Sequence, residues 1–123
     1  MRGAKPAQAL TEFALVITIL MMVVLGTVDL GRGVYSYNVL ASAAREGARY
    51  GITHGGTVDT AGIKNQVQAT AVLNIDPTKI TVSCSGKCTR GDSLIVKVQY
   101  VFQPATPLFT TLTLTGQSTM TME

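Results

Sequence analysis

The chain has 123 residues, of which 14% are charged, and a net charge of +3. That length holds one small domain beside an apolar segment, and the segment accounts for most of the charge deficit. The basic residues are dispersed and Trp is absent, so no basic track of the kind that follows nucleic-acid phosphates is present.

Arg2, Lys5 and Pro6 precede an apolar run from Gln8 to Val28, QALTEFALVITILMMVVLGTV, whose single carboxylate is Glu12. Three readings compete for it. A secretory signal has a basic start and an apolar stretch, both present, but also a small-x-small cleavage site; DLGRGVYSY offers none. A permanent anchor needs about 20 apolar residues. Phe13 to Val28 supplies sixteen without a charge, so full length is reached only by admitting Glu12. An unpaired carboxylate there costs roughly 2.5–3.5 kcal/mol on the insertion scale. The third reading gives that carboxylate a partner.

Gln8-Ala9-Leu10-Thr11-Glu12-Phe13-Ala14 resembles the mature start of the type IV pilins and their relatives. The resemblance implies that a prepilin peptidase removes a basic leader, residues 1–7, by cutting between Ala7 and Gln8. Ala7 stands where the family usually has Gly. Glu12 then becomes the fifth mature residue. A carboxylate at low dielectric seeks a cation, and the new α-ammonium of Gln8 on a neighbouring subunit would provide one. Gln8, Glu12 and Phe13 are the expected assembly contacts.

Beyond Asp29 the sequence LGRGVYSYNVLASAAREGARYG has no proline. Leu30, Val34, Tyr37, Ala41, Ala44 and Ala48 recur at steps of four and three, the stripe of an amphipathic helix. One helix is therefore expected from about Gln8 to about Tyr50, its first part (8–28) in a membrane or bundle core and its second (29–50) packed on a domain. Gly26, Gly31 and Gly33 would weaken or bend it at the membrane exit. Gly51 and the His54-Gly55-Gly56 run would end it. Asp29-Leu30-Gly31-Arg32 and the segment Ala43–Tyr50 narrow the resemblance to the TadE-like pseudopilins of tight-adherence (Tad) pilus machinery, with Ala43–Tyr50 its most specific part.

The remainder, 51–123, reads as a β-rich domain. Ile63, Val67, Thr70 or Ala71, and Asn74 sketch a short second helix stopped by Asp76-Pro77. Ile80, Val82 and Cys84 alternate as a first strand, and Leu94 to Phe102 alternate strictly as a second. Pro104 and Pro107 break that strand. Leu112 to Met122 alternate with threonines around Gly116, as one strand with a bulge or as two short ones. Cys84 and Cys88 are either an oxidised pair outside the cytosol or two free thiols in a loop. Arg90-Gly91-Asp92 spells an adhesion tripeptide, which a turn before a strand explains.

The expected fold is α+β and pilin-like: a long N-terminal helix, transmembrane then amphipathic, laid on a small antiparallel sheet with one short extra helix. No catalytic or metal-binding constellation is present: His54 lacks a nucleophile beside it, and Glu46, Asp59, Asp76 and Asp92 fall in separate elements. No cofactor is expected. The implied partners are other pilin subunits, the prepilin peptidase, an inner-membrane assembly platform and the membrane itself. Arg2 and Lys5 would stay in the cytoplasm with the β-domain outside, and the subunit would move from the cytoplasmic membrane to a cell-surface pilus. A membrane-anchored extracytoplasmic binding module that never polymerises is the alternative.

Overall fold

The computed structural model describes residues 4–54, 57–107 and 109–123, with side chains from Pro6 onward. Arg2 and the Lys5 side chain, which carry the expected leader charge, lie outside the described residues, as do Gly55 and Gly56. The element order is α1 (Ala4–Thr53), α2 (Thr60–Thr70), β1 (Ile80–Cys84), β2 (Ser93–Phe102) and β3 (Leu112–Thr121), with a short 3-10 turn at Pro77–Lys79. The arrangement is α+β, with the three strands forming an antiparallel meander in the order β1-β2-β3.

Helix α1 is unbroken through Gly26, Gly31, Gly33 and Gly51. Gly51 does not stop it, because the position is needed inside the helix for packing. A Cβ there would run into Leu94 of β2 and Ile63 of α2. The helix ends two residues later, where Thr53 Oγ1 donates to Arg49 O at 3.0 Å and His54 N donates to Tyr50 O at 3.3 Å. The His54 ring stacks on Tyr50 with centroids 4.0 Å apart.

Helix α2 starts at the N-cap Asp59, whose carboxylate accepts from Gly62 N at 3.0 Å. Its buried pair, Ile63 and Val67, is spaced i, i+4. Gly51 faces Ile63 and Gly47 faces Val67, so α2 runs antiparallel to α1. It ends at Thr70 rather than at Asp76-Pro77. The chain turns early to bring Ile75 into the core, and Gln68 Nε2 holds the turn by donating to Ile75 O at 3.0 Å. Asp76 instead caps the 3-10 turn, accepting from Thr78 N at 2.8 Å.

Leu94, Val96 and Val98 point from β2 toward α1, where they meet Leu40, Ala44, Ala48, Ile63, Val67 and Ile80. Each large side chain in this set contributes roughly 1.5–3 kcal/mol by burial. Strand β3 pairs residue for residue with β2 from Leu112 to Thr121, without a bulge. Gly116 sits opposite Val98 because no side chain fits there: a Cβ would lie 2.6 Å from Leu40 C and 2.7 Å from Leu40 O. The glycine lets the helix backbone rest on the strand.

At the far end of the sheet, Cys84 and Cys88 form a disulfide. The adjoining Thr89–Asp92 turn uses the Asp92 carboxylate internally, accepting from Thr89 N at 3.0 Å, and Gly91 takes φ +92°. The adhesion-like tripeptide is thus a turn whose acid is occupied.

Gly116→Val should destabilise the domain by at least about 1–3 kcal/mol, because the new side chain meets backbone rather than a movable side chain. Gly31→Ala, with open space around it, should be neutral or gain up to ~1 kcal/mol. Thermal unfolding in detergent measures both. Removing the disulfide as the Cys84→Ser, Cys88→Ser pair should cost about 2 kcal/mol, the loop-entropy value for so short a loop, while far-UV circular dichroism stays unchanged.

Candidate functional site

Two stretches of α1 have opposite surroundings. From Leu10 to Val28 the large apolar side chains are exposed, Phe13 by 65% and Val16 by 59%. This part of the helix is long and apolar enough to cross a membrane. The hydroxyls within it are satisfied along the helix: Thr11 Oγ1 donates to Gln8 O, Thr18 to Ala14 O and Thr27 to Val23 O, all at 2.7–2.8 Å. That is how a polar side chain becomes tolerable in hydrocarbon. Ala7, Gln8, Glu12 and Phe13 all lie on this bare surface.

From Asp29 onward one side of the helix is covered. The covered line runs through Asp29, Gly33, Ser36, Leu40, Ala44, Gly47 and Gly51. It meets the expected stripe only toward its end. Ala44 and Ala48 are fully buried and Ala41 is half-buried, whereas Val34 and Tyr37 remain 61% and 50% exposed. The helix turns Gly33, Ser36 and Leu40 toward the sheet, and at Leu40 its backbone rests on Gly116 of β3. The bulkier Leu30, Val34 and Tyr37 consequently stand to one side.

Asp29 anchors the start of the covered line. It is 3% exposed. Its carboxylate accepts from the Thr106 hydroxyl, from Thr106 N at 2.9 Å and from Ala105 N at 3.1 Å. Arg32 Nη1 lies 3.6 Å away. The loop between β2 and β3 is thereby tied to the helix immediately after the apolar run. The Thr106 hydroxyl bond, together with the two backbone donors and Arg32, holds the Asp29 carboxyl below the usual carboxylate range against the opposing effect of burial. Within reach along the helix, at i, i+3, the sequence offers Asp29 only Arg32 as a partner. The loop donors lie 76 and 77 residues away, and the only local sign was an acid at the edge of an apolar run.

Residues 7–49 match the family model described as TadE-like protein. Over this segment the chain is similar to TadE-like proteins. No curated protein and no solved structure matches the chain. The TadE-like segment spans the bare stretch, Asp29 with its Arg32 partner, and nearly all of the covered line. It ends before α2, so the sheet domain lies beyond it.

A carboxyl with a lowered folded pKa contributes stability that is present above its unfolded value, near ~3.9, and is lost as pH falls through the folded value. Acidification below the usual carboxylate range should therefore release the loop. The protection factors of the Ala105 and Thr106 amides should fall under those conditions, and at neutral pH in Asp29→Asn, while the β1–β2 amides stay protected. Unchanged protection at Thr106 in Asp29→Asn would remove the carboxylate from this role.

Proposed function

We propose that the chain is a pilin-like structural subunit of a Tad-type pilus, without catalytic activity of its own. It inserts through the apolar half of α1 with the sheet domain outside the cytoplasmic membrane. A prepilin peptidase cuts between Ala7 and Gln8, and the helix then passes into a bundle with other pilin subunits on an inner-membrane assembly platform. The observation that carries this reading is the TadE-like match across residues 7–49, which covers a helix whose apolar surface is bare and holds one acid, Glu12.

The chemistry of assembly follows from that bare surface. Apolar side chains from Leu10 to Val28 have to stay in lipid or meet the same side chains on other copies, since water is the costly alternative. Glu12 would be neutralised by the α-ammonium that the cut exposes on Gln8 of an adjacent subunit, which fixes how far one helix can slide along the next. A pair at low dielectric helps only where both members are present, and one without the other is strongly unfavourable.

Mass spectrometry of the chain from its native membrane should find Gln8 as the N-terminus, and electron microscopy of sheared surface material should find it in filaments. Glu12→Ala should still be cut but should incorporate far less. Met1 or Arg2 as the sole N-terminus, with the protein confined to the membrane, would favour an anchored module that does not polymerise. Wild-type incorporation of Glu12→Ala would remove the charge pair from the mechanism.

A further inference from the structure

The end of the domain nearest the apolar run carries a feature to which the proposed function assigns no role. Leu30 and Val34 are 63% and 61% exposed on α1, and Phe109 and Leu112 are 47% and 58% exposed beside them. Together they line one open apolar cleft with Tyr37 and Phe102. Phe102 and Leu112 are partners in the last rung of the β2–β3 ladder. The cleft therefore lies where the sheet ends and the helix leaves the domain.

We infer that this end of the domain is a membrane-contact foot, with Phe109 and Leu112 resting in the near leaflet of the bilayer that α1 crosses. The inference rests on α1 being the membrane span, and three observations favour lipid as the occupant.

The first is length. Leu10 to Val28 covers nineteen residues, about 28 Å at 1.5 Å per residue, against roughly 30 Å of hydrocarbon. A span with no length to spare leaves the apolar residues just beyond it at the lipid boundary. On the domain side these are Leu30, Val34 and the cleft.

The second is charge. No charged residue occurs from Val98 to Met122, the stretch that forms the lower part of β2, the loop and β3. Asp59, Lys87, Arg90 and Asp92 gather at the other end, around the C-terminus of α1, while Asp76 and Lys79 lie in the turn before β1.

The third is how the two charges at the exit are disposed. The Asp29 carboxylate is buried against the loop donors, so it is not presented to lipid. Arg32 stands over the Phe102 ring, 5.8 Å from its centroid, with a side chain long enough to reach headgroup phosphates. Tyr35 and Tyr37, both at least half exposed, lie at the level where tyrosines line membrane interfaces. A second copy fits the cleft less well. In one bilayer all spans lie at the same depth, so a neighbour brings its own residues after Val28 to this level rather than its apolar run.

The chain has no Trp, so a single introduced Trp reports its own surroundings. Four full-length variants, Phe109→Trp, Leu112→Trp, Lys87→Trp and Met22→Trp, would be placed in phosphatidylethanolamine–phosphatidylglycerol vesicles with or without bromine on the acyl chains. Met22→Trp reports the span and Lys87→Trp the far end of the domain. Circular dichroism establishes that each variant folds. The foot predicts a roughly twofold loss of emission for F109W and L112W in brominated vesicles, with M22W also quenched and K87W unaffected. Quenched M22W beside F109W and L112W as bright as K87W would overturn the foot while leaving the span intact. Unquenched M22W would overturn the span and the foot with it. Emission of F109W that responds to protein density but not to bromine would assign the cleft to a second copy instead.

Discussion

The backbone of α1 lies against the backbone of β3 where Leu40 meets Gly116, and the domain is built outward from that contact. A helix with large side chains facing a sheet stands well off it. Here Gly116 leaves room for the Leu40 backbone to seat closely, so the sheet core is thin and a short domain can fill it. Gly47 and Gly51 extend the seat toward α2, and Leu40, Ala44 and Ala48 fill what remains. The choice of covered line follows from this need. It is why the more apolar stripe of the same helix is left partly bare.

Much of the architecture was legible because it is local. The apolar run, the two strict alternations at Ile80–Cys84 and Leu94–Phe102, and the order of elements follow from periodicity alone. The helix face did not. Leu30, Val34 and Tyr37 make a better apolar stripe than Asp29, Gly33 and Ser36, yet the latter face the sheet. Periodicity counts side chains, whereas this contact depends on their absence, and the partner that demands it, Gly116, is 76 residues beyond Leu40. For the same reason Gly116 reads in sequence as a bulge or a break between two short strands, whereas it is a seat for the helix in one continuous strand. Of the candidate site, Glu12 and the apolar run could be read directly. The tie between Asp29 and Thr106 could not, because it joins an acid to a loop that no spacing rule connects to it.

The two halves of α1 meet different demands with one secondary structure. Below Asp29 the backbone groups beyond the first turn are satisfied within the helix and the threonine hydroxyls are folded back onto it, so the surface presents almost nothing but hydrocarbon. Above Asp29 the same helix is a structural wall of the domain. The TadE-like match spans both halves and stops before the sheet. The matched segment is thus the helix with its exit, and the sheet lies beyond it.

Since α1 runs from Ala4 to Thr53 without a break, it has no joint at the point where it leaves the apolar run. Torsion or tilt applied to the buried end is passed to the sheet as rotation of the whole head, and the Asp29 tie keeps the lower loop turning with it. The azimuth at which the helix sits among its neighbours therefore also decides which surface of the head faces outward.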